Sequence, residues 1–143
     1  MLKAYKYRLL PDKNQKSYIN RCIGCARFVY NNLLSDYKAQ LDNKIEKPKL
    51  KEVTFLKESY DFLNEVDSLA LANSKINLQK ALKNFFDSRK GKRKGKKVGF
   101  PKKHKKKKSR LSYTTNNQGG NIRIEGNKIK LPKIRICGNG LSP

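Results

Sequence analysis

The sequence predicts an α+β protein, a small β module into which a helical segment is inserted. Three observations carry that expectation. Residues 3–10, KAYKYRLL, alternate with the period of a half-buried strand. Residues 13–87 repeat apolar side chains at helical spacing. After a long basic stretch, three short strand-like runs follow, the last two joined by Gly126-Asn127.

In the first run, Tyr5, Tyr7 and Leu9 share one face while Lys6 and Arg8 carry charge on the other. Pro11 ends it, and Asp12 with Gln15 three residues on forms a capping-box pattern. Apolar positions then recur at Ile19, Cys22, Ala26, Val29, Leu33 and Tyr37. Gly24 interrupts them, which predicts helices over about 13–22 and 26–41 meeting at a tight turn. DNKIEKPK reads as a loop. Thr54 caps an expected third helix through Leu56, Tyr60, Leu63 and Val66. Asp67-Ser68 caps a fourth, with Leu71, Leu78, Leu82 and Phe85 inward and Lys75, Lys80 and Lys83 turned largely elsewhere. RLSYTT, NIRIE and KIKLP then read as strands. Tyr5–Leu9 is expected to pair with them. The chain thus divides into a first strand (1–10), an inserted helical lobe (11–90), a basic linker (91–109), the remaining strands (110–133) and a tail (134–143).

The net charge of +24 is unevenly spread. Residues 88–143 carry 19 basic side chains against one acid, Glu125, and twelve of the cations fall within residues 91–110. One-signed charge at that density repels itself until a polyanion neutralises it. Anionic lipid would call for an amphipathic basic helix or a lipidation signal, and neither is present. Nucleic acid is the better partner. No window approaches 18 uninterrupted apolar residues, and the first thirteen are too polar for a signal peptide, so no membrane association is expected. Three cysteines without an export signal fit a reducing cytoplasm.

Enzymatic chemistry finds little support. Cys22 and Cys25 have zinc-ligand spacing, but a tetrahedral site needs four ligands and only Cys137 and His104 remain, in different settings. The pair also sits at i and i+3 on an apolar stripe, where small thiols pack well. The single His104 lies among lysines, where a positive field depresses its pKa and leaves it unpartnered. The eleven carboxylates are scattered, whereas metal-assisted phosphodiester cleavage needs several converging acids. No catalytic residue, metal site or cofactor is expected.

Binding residues are easier to nominate. Cations neutralise phosphate, aromatic faces stack on bases, and amide side chains read base edges. The basic run offers Lys92, Arg93, Lys94, Lys96, Lys97, Lys102 and Lys103, with Phe100-Pro101 as an anchor to the fold. The strand region offers Arg110, Arg123, Lys128 and Lys130 around Tyr113, Thr114, Thr115, Asn116, Asn117 and Gln118.

Several stretches together resemble a known family: KAYKYRLLPDKNQ, GCARFVYN, SLALANSKINLQKALKNFF and GFPKKHKKKKSRLSYTTNNQGGNIRIEGNKIKLPK. They are similar to the N-terminal part of TnpB/OrfB-type insertion-sequence proteins, RNA-guided DNA endonucleases formerly described as transposases. The resemblance spans about residues 2–133. It implies that residues 1–10 and 110–133 form part of a wedge-like β-barrel, with a helix-turn-helix-like recognition lobe between them. It implies RNA and DNA as partners, with Arg27, Tyr30 and Asn31 on the lobe and Tyr113 through Gln118 on the wedge. It also implies that the nuclease domain and the zinc-ribbon cysteines would lie beyond this chain, so cleavage is not expected of it. IRICGNGLSP departs from the family's strand pattern. Two other readings stay open: a stand-alone helix-turn-helix regulator reading DNA with Arg27, and a decayed, non-functional remnant. Nothing in the sequence determines the oligomeric state.

Overall fold

The computed structural model describes residues 2–107 and 111–133. Its helices are α1 (Lys13–Asp42), α2 (Val53–Ser59) and α3 (Ser68–Arg89), with a 3-10 turn at Asp61–Glu65. A hairpin of β1 (Arg123–Glu125) and β2 (Lys128–Lys130) follows.

The start of α1 follows from its capping box. The Gln15 amide N–H donates to Asp12 Oδ1 and the Asp12 amide N–H to Gln15 Oε1, both at 2.8 Å. The helix then runs 30 residues without interruption, about 45 Å at 1.5 Å per residue. The expected turn at Gly24 does not form. A mid-helix glycine costs only about 1 kcal/mol relative to alanine. The buried stripe of Tyr18, Cys22, Cys25, Val29 and Leu33 passes straight across that position. Each such side chain contributes about 1.5–3 kcal/mol on burial, so packing outweighs propensity. The helix ends when Lys44 adopts φ +55°, letting its amide and that of Ile45 donate to the carbonyls of Leu41 and Gln40.

The expected third helix is divided. Glu52 rather than Thr54 precedes α2, and the chain leaves helical geometry at Tyr60 (φ −129°, ψ 91°). The Asn64 amide donates to the carbonyls of Lys57 and Asp61, taking up acceptors that the break frees. Leu56, Leu63 and Val66 are still all buried. Asp67 caps α3 as expected, its Oδ1 accepting from the Leu69 amide at 3.0 Å. Leu71 and Leu78 are fully buried and Leu82 nearly so. Lys80 and Lys83 are exposed, but Lys75 is largely covered and meets Glu52 at 3.0 Å, contrary to its expected outward placement.

Helices α1 and α3 pack together, with the small residues Ala26 and Ser74 facing one another. There the Ser74 hydroxyl donates to the Ala26 carbonyl at 2.9 Å across the interface. Helix α3 ends on a Schellman motif: Gly91 (φ +75°) donates to Ser88 and Lys92 to Asp87. Glycine suits this position because φ is positive there.

The β module is smaller than expected. The hairpin pairs Arg123 with Lys130 and Glu125 with Lys128, and only the first turn residue, Gly126 (φ +59°), has positive φ. That is the pattern of a type II′ turn. Residues 2–10 form no strand, Arg8 alone making a bridge, and Tyr5 is 71% exposed. Residues 111–115 likewise form no strand. Two three-residue strands cannot close a barrel, so the barrel expectation gives way to an α-rich fold with one hairpin. The readings that fall on Arg110, Cys137 and the tail 134–143 lie outside the described residues.

Candidate nucleic-acid interface

The basic run begins where Gly91 turns the chain off α3, and three contacts hold it to the helices. The Val98 amide donates to Ser88 Oγ at 2.9 Å. The Phe100 ring meets Phe85 edge-on, centroids 5.2 Å apart. Four residues on, Asn31 of α1 grips the backbone of His104: Nδ2 donates to its carbonyl at 2.8 Å and Oδ1 accepts from its amide at 2.7 Å. The His104 ring stacks on Tyr30, centroids 4.0 Å apart and nearly parallel. The anchor expected at Phe100-Pro101 is therefore present, and a second one at His104 was missed.

Tyr30 and Asn31 turn out to have a structural task. Tyr30 is 7% exposed and burial raises its hydroxyl pKa; Asn31 is committed to His104. His104 is not unpartnered as expected. Its pKa is lowered, and burial against the fold is the cause rather than the neighbouring lysines. Lys92, Arg93, Lys94, Lys96, Lys97, Lys102 and Lys103 are exposed and form no ion pair among the described residues.

The segment after the basic run is strapped across the start of α3. Asn73 Nδ2 donates to the Thr114 carbonyl at 3.0 Å and, more weakly, to Asn116 Oδ1 at 3.4 Å. The Thr115 hydroxyl donates to Oδ2 of Asp67. The buried Asp67 carboxylate thus serves the helix cap and the strap together. Tyr113 packs half-buried against the core. With Arg27, Tyr30, Asn73 and His104, Tyr113 and Thr114 line a cleft of about 270 Å³.

Beyond the strap, Gln118–Asn121 makes a tight turn with Gly119 and Gly120 both at positive φ and the Asn121 amide donating to the Gln118 carbonyl. Asn117 Oδ1 accepts from the Ile122 amide at 3.3 Å, so Asn117 helps to shape the turn while remaining exposed. Gln118 is exposed. Arg123, Lys128 and Lys130 lie on the hairpin and line neither this cleft nor the larger one described next. In register, Arg123 stands opposite Lys130, a like-charge pair that the Glu125 carboxylate, 3.9 Å from Arg123 Nε, offsets in part.

A larger cleft, of about 810 Å³, opens on the other flank of α1. Phe28 is half-buried and meets the exposed rings of Tyr60 and Phe62 edge-on at 4.9 and 5.2 Å. Arg27 lines both clefts. No local pattern signals this grouping, because it depends on the chain break at Tyr60. Cys22 and Cys25 lie on the buried stripe of α1, and burial raises the Cys25 thiol pKa, an inert setting for a thiol.

This is a helical body with a cation-rich segment fastened along it. Residues 1–45 match the helix-turn-helix domain of the OrfB/IS605 family. The chain is also 32% identical over 116 residues to a protein of Streptomyces pristinaespiralis described as "Putative RNA-guided DNA endonuclease". That match covers 77% of this chain and 27% of the relative, so the chain spans about a quarter of the relative's length. The two matches bear out the likeness to the N-terminal part of OrfB/TnpB-type proteins expected from the sequence. No helix among the described residues is long and apolar enough to cross a membrane.

Proposed function

We propose that this chain binds RNA and DNA through their phosphates, as the nucleic-acid-binding region of a transposon-encoded OrfB-type protein taking part in DNA transposition. It acts in the cytoplasm and contributes no bond cleavage of its own. The observation that carries this reading is the anchoring of the basic run. A solvated tail has no need of the amide grip on His104, the Tyr30 stack and the Phe100 contact, which together fasten to the helices a segment whose Lys92, Arg93, Lys94, Lys96, Lys97, Lys102 and Lys103 are exposed and form no ion pair among the described residues. Ordering like charges side by side is unfavourable without a polyanion to neutralise them.

Arg123, Lys128 and Lys130 extend the cationic surface in this reading, and the exposed Gln118 and Asn116 supply hydrogen-bonding groups. Tyr30 and Asn31 act by positioning. A stand-alone regulator would present base-reading side chains at the start of a second helix near Arg27; here one helix runs unbroken through that position, which favours the phosphate-binding reading.

Filter binding across a salt series tests it. With about eight cations on phosphate, log K falls against log salt with a slope of about −6 to −7, at ~0.7–0.9 per contact. A slope near zero refutes the proposal.

A further inference from the structure

We infer that the larger cleft beside α1 receives an unpaired nucleobase, stacked against Phe28 and Phe62, with an adjoining phosphate on Arg27 and Lys103. The inference rests on the phosphate-binding reading above and assigns to it a site for single-stranded rather than fully paired nucleic acid.

The chemistry of the lining separates into two parts. Phe28 and Phe62 line it with their rings packed edge-on, Tyr60 packs edge-on against Phe28, and Phe62 is 45% exposed, which leaves aromatic surface open to the cleft. Such surface in a water-filled groove is costly unless something flat and apolar covers it. The charges are not balanced within the protein. Both carboxylates of the cleft are already engaged: Asp36 by Lys51 at 3.2 Å and Gln40 at 2.8 Å, Glu65 by Arg21 at 3.7 Å. Arg27 is half-buried yet has no acidic partner among the described residues, and Lys103 is equally unpaired. An anion beside two such cations, next to a flat ring partner for two aromatics, describes a nucleotide.

Size and position agree. A volume of about 810 Å³ lies within the range of small-molecule sites, roughly 300–1,000 Å³, and exceeds what a phosphate alone would need. Lys103 belongs to the anchored basic run, adjacent to the His104 residue that Asn31 holds, and Asn31 itself lines the cleft. A strand neutralised along that run therefore passes the cleft mouth. A base paired in a duplex cannot enter, because its faces are already stacked.

The test uses the whole chain with two probes of equal phosphate count: a twelve-residue oligothymidylate, and a twelve-residue oligomer of abasic deoxyribose phosphates. At one salt concentration, the base-bearing strand is expected to bind at least about fivefold more tightly. Phe62→Leu keeps an apolar side chain and removes the π face; it is expected to abolish that preference while leaving the salt slope unchanged. Equal binding of both probes by the unaltered chain overturns the cleft assignment and leaves the phosphate reading standing, whereas a flat salt slope for both defeats the phosphate reading itself. A preference retained in F62L also overturns the assignment. A readout that needs no variant is photocrosslinking of a 4-thiothymidine-bearing strand. Adducts on peptides containing Phe28, Tyr60 or Phe62 support the site, and adducts confined to other peptides overturn it.

Discussion

Replacing Gly24 with alanine separates a continuous helix from two helices joined by a turn, because the two predict opposite signs. Gly24 lies inside α1 without positive φ. A Cβ built on it meets only Arg27 Nη2, at 3.9 Å, an ordinary van der Waals contact. No steric cost therefore offsets the gain in helix propensity and the reduced freedom of the unfolded chain, about 0.5–1 kcal/mol in favour of alanine. Were Gly24 at a left-handed turn position, alanine would instead cost about 1–2 kcal/mol. Urea denaturation followed by circular dichroism reads the difference. With a slope of roughly 1–3 kcal/mol/M, the Gly24→Ala midpoint rises by a few tenths of a molar. Gly24→Pro supplies the reverse control, since proline inside a continuous helix loses a hydrogen bond, clashes with the preceding turn and costs about 3 kcal/mol. A midpoint that falls for G24A at unchanged slope, or a proline variant as stable as the parent, refutes the single helix.

Two further predictions concern the anchored run. Asn31→Ala removes both hydrogen bonds to the His104 backbone, a loss of about 1–2 kcal/mol for two exposed bonds, so the His104 amide exchanges with solvent about 5- to 30-fold faster; unchanged exchange would show that Asn31 does not hold the run. The docking should also depend on pH. Burial lowers the His104 pKa from its ordinary value of 6.5, so the undocked histidine binds a proton more readily than the docked one. Docking is then strongest above about pH 6.5, weakens as pH falls through 6.5 towards the docked value, and levels off below it. The Tyr30 hydroxyl stays neutral throughout, its pKa being raised by burial. An NMR titration of the His104 ring, with amide exchange at each pH, follows this; docking that tightens on acidification contradicts it.

How much of the structure could be read in advance depends on how far apart in sequence the deciding groups lie. The caps at Asp12 and Asp67 and the Gly126-Asn127 turn were legible because each is settled within two or three residues. Gly24 was misread because its local preference for a turn is overruled by a buried stripe whose partner, α3, begins more than forty residues later. The strands at 3–10 and 110–115 failed for the complementary reason: alternation marks a segment able to pair, and pairing requires a neighbour that only the tertiary fold provides. The candidate site shows the same dependence in its strongest form. The lysines were legible as a row of charge, but Asn31 and His104 lie 73 residues apart, and Asn73 reaches the Thr114 carbonyl across 41. An asparagine donating and accepting along an extended backbone mimics a strand edge, and no sequence pattern signals which distant peptide it will hold. Those two amides turn the run and the strap from polar loops into fixed surface. Positioning of the cations therefore resides in α1 and α3, in residues that carry no charge.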